Sequence, residues 1–275
     1  EPSLFDSRLS GGVDIYNTRR IYDSYTVQRV GGGLRSGFPL VGRTRAFLSY
    51  KYETITISDA LPTASFIILE SVGISTTSSV TGQIRRDTRD NYADPTQGSD
   101  NSVSLEYAGG VLGGTNDFTK YGANSAWWVT PFWSSTFSTR GRIGYLQGRD
   151  GSNVPLFERY RLGGIYSVRG FKAWTIGPVA PNGEVIGGDK ELLFNLEWIF
   201  PLIQQLKIKG LVFFDAGNAW DVAQPFLDGG LRTSVGLGLR WLSPMGPLRL
   251  EWGYNLQPKP GESQSAWEFA VGTAF

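Results

Sequence analysis

The sequence predicts an all-β protein, a transmembrane antiparallel β-barrel of about twelve strands with a long extracellular loop folded into its lumen. Three observations lead there. Apolar and polar residues alternate with period two over stretches of about ten residues, longer than most soluble strands and suited to crossing a bilayer at a tilt. The composition, with 36 Gly, 9 Trp, 12 Tyr and 16 Phe among 275 residues but no Cys, no His and one Met, favours tight turns and aromatic-faced strands over helices. Connections alternate between short and long, as periplasmic turns and extracellular loops do. No apolar run approaches the roughly 20 residues of a membrane-spanning helix.

In chain order, strands are expected at 9–20, 25–37, 43–57, 79–90, 101–112, 118–132 and 137–148. Next, Leu192, Phe194, Leu196, Trp198 and Phe200 stand against Leu193, Asn195, Glu197 and Ile199. Leu206, Ile208, Val212 and Phe214 then alternate with Lys207, Lys209, Phe213 and Asp215. Several inward positions of these two are apolar, so the pattern is imperfect there. It is cleanest over 231–241, where Leu231, Thr233, Val235, Leu237, Leu239 and Trp241 alternate with Arg232, Ser234, Gly236, Gly238 and Arg240. Leu248, Leu250, Trp252 and Tyr254 face away from Arg249, Glu251, Gly253 and Asn255, after a tight turn at 243–247. Last, Trp267, Phe269, Val271, Thr273 and Phe275 oppose Glu268, Ala270, Gly272 and Ala274. Lipid cannot hydrogen-bond an open edge, so the strands are expected to close with 9–20 beside 265–275.

Short turns are expected at 93–98 and 200–205. The long connections are 58–78, where 64–72 has room for a helical turn or two, and 149–188, whose length of about forty residues implies a function. Seven tryptophans, Trp127, Trp128, Trp133, Trp198, Trp241, Trp252 and Trp267, are expected as interfacial girdles rather than a sugar platform.

Several classes are excluded. A soluble sandwich would set Lys and Glu against its apolar face, whereas the non-lipid face here is rich in Gly and Ser with sparse mixed charge. With 26 basic and 25 acidic residues, a net charge of +1 gives no footprint for nucleic acid. Without Cys or His there is no disulfide, no thiolate or imidazole metal site and no Ser–His chemistry, so an enzyme would need carboxylate, Lys or Tyr groups; Glu197 and Asp215 are the sharpest carboxylate pair, but a structural role is expected for them, with no catalytic site, metal or cofactor.

One motif within the long loop goes further. Arg161-Leu-Gly-Gly-Ile-Tyr-Ser-Val-Arg-Gly-Phe171 resembles the BamA/TamA superfamily of outer-membrane assembly and two-partner secretion β-barrels, whose sixth extracellular loop ends in a Val-Arg-Gly-Phe/Tyr tip. Val168, Arg169, Gly170 and Phe171 match that tip. In order, Leu196-Glu-Trp-Ile-Phe-Pro201, Phe213-Phe-Asp-Ala-Gly217 and Trp241-Leu-Ser-Pro-Met-Gly-Pro-Leu248 resemble the strands and turn that follow it, and Asp87 to Asn91 with Pro95 to Gly98 an earlier periplasmic turn. Trp267, Phe269, Val271, Gly272 and Phe275 fall on the terminal strand that serves the family as an assembly signal. The likeness covers most of the chain from about residue 79 and is strongest to the C-terminal barrel region of the BamA branch.

A long loop folded into a lumen loses much entropy unless its tip is anchored. Arg169 can anchor it through bidentate, charge-assisted hydrogen bonds. The alternation places Glu197 and Asp215 on the lumenal face, and the resemblance assigns them as its partners. Gly170 would let the tip turn where a side chain would clash. Arg149 is expected to be a solvated loop residue, Phe269 and Val271 to meet lipid, and Gly272 to face inward.

The resemblance implies an outer-membrane assembly factor that inserts and folds client outer-membrane proteins by edge pairing. The partners it implies are outer-membrane lipid and lipopolysaccharide, and accessory periplasmic lipoproteins. The alternatives are a polypeptide secretion channel of the two-partner type and a passive pore. The assembly branch carries periplasmic POTRA domains before a larger barrel, so this chain is expected to be one barrel domain corresponding to that barrel's C-terminal part.

Overall fold

A computed structural model describes residues 9–149, 153–244 and 246–272. Twelve strands run in sequence: β1 (Ser10–Ile21), β2 (Thr26–Pro39), β3 (Thr44–Ser58), β4 (Gly73–Asp87), β5 (Gly98–Ala108), β6 (Phe118–Phe132), β7 (Ser135–Gly148), β8 (Lys190–Ile203), β9 (Ile208–Trp220), β10 (Arg232–Ser243), β11 (Gly246–Asn255) and β12 (Ser265–Val271). They form one antiparallel meander in which each strand pairs with its neighbours in sequence. The helical turn expected in the first long connection is α1 (Phe66–Glu70). β4 begins six residues earlier than its alternation suggested, at Gly73 rather than 79, because its first residues pair with Ile57 to Thr54 of β3 even where their own pattern is polar. Leu206 and Lys207 belong to the turn before β9, and Lys207 takes a left-handed φ of 54° there.

The period-two faces divide the sheet. Val235, Leu237, Leu239 and Trp241 of β10 are exposed on the outer face, while Ser234 and Arg240 are buried inward. The imperfect alternation of β8 and β9 has a packing cause. Inward Leu193 packs with Leu162, Val168, Phe171 and Ile176 of the long loop, and inward Ile199, Leu211 and Phe213 form a cluster of their own. The first seats the folded-in loop, and in the second the Phe213 ring lies against Arg169 of that loop. Most of the girdle tryptophans, such as Trp127, Trp133 and Trp267, are exposed, but Trp128 is buried on the inner face beside Arg89.

The expected closure does not occur. β1 and β12 are the two ends of the sheet, and no pairing joins them among the described residues. A barrel's diameter grows with its strand number. The segment 153–189 occupies the interior and packs against both walls: Leu156 joins Val27 and Ile55 of β2 and β3, while Phe171 packs on Leu193 of β8. Twelve strands curled around that filling leave the two edges apart.

Candidate functional site

The long connection between β7 and β8 is built as a stapled excursion. Tyr160 pairs with Gly188 and Leu162 with Ile176 in isolated bridges, so the chain goes in and returns along itself. At its tip the Gly164 N–H donates to Val168 O, the Ser167 N–H to Gly164 O, and the Gly163 N–H to Ser167 Oγ. This turn sends Arg169 into the wall. Gly170 has φ +85°, and a Cβ there would sit 2.7 Å from the carbonyl carbon of Gly253 on β11; a Cβ at Gly253 would sit 2.4 Å from Gly170 N. Backbone meets backbone, and only two glycines allow it.

Arg169 is 2% exposed and every guanidinium nitrogen is used. Its Nε and Nη2 donate to Asp215 Oδ2 and Oδ1, both at 2.7 Å, and its backbone N–H donates to Oδ2 at 3.0 Å. Nη1 donates to Glu197 Oε1 at 2.7 Å and to Glu251 Oε2 at 2.8 Å. The guanidinium lies 3.6 Å from the centre of the Phe213 ring. Val168 and Phe171 flank it in the apolar cluster on Leu193 and Ala219.

Three carboxylates around one cation would repel one another without further charge. Arg240 supplies it to Glu197 at 2.6 and 2.9 Å and to Glu251 at 3.1 Å, and Arg249 donates twice to Glu251 at 3.0 Å. Asn195 completes Asp215 Oδ1 at 2.8 Å and also holds Ser167 O. The network spans β8, β9, β10 and β11. Such a buried array is costly to assemble but costs more to break, because removing one member leaves others charged and dry.

The sequence paired Arg169 with Glu197 and Asp215 but did not name Glu251, Arg240 or Arg249. The alternation phase already placed Glu251 on the lumenal face; nothing local showed that β11 would curl to the loop tip. A second set of contacts had no sequence signal. Arg29 and Lys120 donate to Glu158 at 3.1 and 2.8 Å, Arg161 donates to the Tyr25 hydroxyl at 2.6 Å, and Glu184 accepts from Ser24 and from the Ser65 N–H. The loop is thus tied to the β2 side as well as to β8–β11.

Arg149 corrects an expectation. Rather than being solvated, it donates to Asp117 Oδ1 at 2.9 Å and Ala108 O at 3.0 Å and stacks 3.9 Å from the Tyr107 ring, since the end of β7 lies against the β5–β6 connection. The terminal-strand residues lie apart from the Arg169 network. Trp267, Phe269 and Val271 are exposed on the outer face of β12. Gly272 does not face inward from the strand: β12 ends at Val271, and Gly272 is an exposed residue with φ +80° whose N–H donates to Pro247 O. Phe275 lies outside the described residues.

A profile described as the Omp85 superfamily domain matches residues 1–275. The chain belongs to the Omp85 superfamily. This Omp85 chain is 33% identical, over its full length, to the outer membrane protein assembly factor BamA of Nitratidesulfovibrio vulgaris, of which it spans 35%. It is 26% identical to the protein of the same name from Neisseria meningitidis serogroup B, again over its full length, and spans 40% of it. The crystal structure of BamA from Haemophilus ducreyi lacking POTRA domains 1–3 matches with a TM-score of 0.82 at 21% identity, over 98% of this chain and 60% of that one, a likeness of fold. The Omp85 chain is therefore an outer-membrane β-barrel protein, and its apolar outer face meets lipid.

Proposed function

We propose that this Omp85 chain is the barrel portion of an outer-membrane protein assembly factor, which inserts and folds client outer-membrane proteins. The observation that carries the reading is where the Arg169 network stops. It ties β8, β9, β10 and β11 together through the loop tip, but does not include β12. On β12 the lumenal residue Glu268 stands opposite Glu251, and its Oε2 is buried with no hydrogen-bond partner. A braced wall ending in a loosely held strand suits edge exchange, in which backbone groups of β12 pair with an incoming strand without demanding its sequence.

On the same reading, residues 1–275 belong to one barrel domain, equivalent to the C-terminal part of a larger barrel. The wider partners, accessory periplasmic lipoproteins and lipopolysaccharide, belong to this proposal too. It is tested by adding an unfolded outer-membrane protein to vesicles with and without the chain. Faster acquisition of protease-resistant client in the chain's presence supports assembly, and an unchanged rate refutes it.

A further inference from the structure

The outer face of the sheet is not uniform. Between Ile84 of β4, Val103 of β5, Ile143 of β7 and Leu192 of β8 the wall dips over Ala123 and Gly141, leaving a groove of about 560 Å³. The register makes it one row: Ile84 pairs with Val103, Val103 with Ala123, Ala123 with Ile143, and Ile143 with Leu192. Its floor is open, because a Cβ added at Gly141 would meet nothing within 4 Å. The volume falls within the roughly 300–1,000 Å³ of small-molecule sites.

Arg86 stands at one end of this groove, in phase with outward Gly82 and Ile84 and next to Asp87, the last residue of β4. That places it at the end of the sheet bearing the short connections. Its guanidinium has no hydrogen bond or ion pair among the described residues. Asn101 and Ser125 line the same end, where Ser125 donates to Asn101 Oδ1 at 2.6 Å and accepts from Trp127 Nε1 at 2.9 Å. An unpaired guanidinium on a lipid-facing wall is tolerated where it reaches a headgroup, and Trp127 marks that depth. Behind Arg86 the row of Ile84, Val103, Ala123, Ile143 and Leu192 lies about 7 Å further along the strands, at about 3.3 Å per residue, as an apolar trough leading away from the charge.

We propose that this groove binds one glycerophospholipid of the leaflet on the short-connection side, with an acyl chain over Val103 and Ala123 and the phosphate held by the Arg86 fork. The site depends on the outer face meeting lipid and not on the assembly reading, so either can fail alone.

Native mass spectrometry of the full chain, folded in nanodiscs of phosphatidylethanolamine and phosphatidylglycerol and released into mild detergent, tests it. One retained phospholipid per chain is expected. R86Q should weaken retention about tenfold by removing a charge-assisted bidentate contact, and R86K should restore part of it. G141L should abolish retention by filling the floor. R19A removes an outward arginine at the opposite end, paired with Asp59, and should change nothing. Heat-modifiable mobility checks that each variant is folded, and R86Q decides the matter should G141L fail to fold. The proposal is overturned if the parent retains no phospholipid, or if R86Q retains as much as the parent.

Discussion

Arg169 and Asp215 meet through three hydrogen bonds at once, two from the guanidinium and one from the backbone N–H of the same residue. The side chain fixes the loop tip's position and the N–H fixes its direction. Replacing Arg169 therefore loses more than an ion pair, since Asp215 and Glu251, both fully buried, are left with a charge deficit. Arg169→Ala should destabilise by about 3–5 kcal/mol, the range for breaking a buried pair from one side. Arg169→Lys should recover little, because an ammonium cannot fork to Asp215. Limited proteolysis within 153–188 should accelerate in both. Lys172→Ala, on the same loop, breaks only a well-exposed ion pair to Asp23 of the β1–β2 turn and should leave cleavage unchanged.

Glu251 and Glu268 are directly opposed across β11 and β12, yet their surroundings differ. Glu251 accepts from Arg169, Arg240 and Arg249, whereas one oxygen of Glu268 is buried without a partner. Glu251→Gln should lower the denaturant midpoint in lipid, on the order of 3 kcal/mol of stability. Glu268→Gln should be neutral or stabilising, as it relieves an uncompensated carboxylate. Equal losses in the two variants would contradict the assigned pairing.

Gly170 and Gly253 touch backbone to backbone. Gly253→Ala leaves every charge in place but puts a methyl where the loop tip lies, so cleavage of 153–188 should rise much as in Arg169→Ala. Unchanged protection would show that the tip is held by charge alone.

Phe269 and Ala270 test which face of β12 meets the bilayer. Phe269 is exposed outward and Ala270 buried inward. Phe269→Arg should cost about 2–4 kcal/mol of insertion free energy if it lies near the midplane, and Ala270→Ser much less. Refolding yields in lipid vesicles compare them; similar yields would reverse the face assignment.

The β4–β5 turn should carry an acid-sensitive element. Partial desolvation acts to raise the Asp90 carboxyl, but the Thr96 hydroxyl and the N–H groups of Thr96, Gln97 and Asn91 donate to it and hold it down at about 2. Its value is thus depressed below an unfolded value of about 3.9. The stabilisation is fully present above about pH 4 and is lost as the pH falls through about 2. Hydrogen exchange at Thr96 and Gln97 should gain protection factors above pH 4 that Asp90→Asn lacks.

What the sequence determined by itself was whatever is local or periodic. Period-two alternation gave the twelve strands and their lipid face, because side-chain direction reverses at every residue whatever the partner strand. The phase of Glu197 and Asp215 was legible for the same reason, whereas the Val168–Phe171 tip was legible only through its resemblance to the family motif. The tertiary structure alone decided which lumenal charges meet. Glu251 lies 82 residues from Arg169 in sequence and reaches it only because the sheet curls, and Glu158 finds Arg29 across the lumen only because the loop fills it. It also decided that β1 and β12 stay apart. Curvature and loop packing are sums over the whole sheet, and no single stretch of sequence carries them.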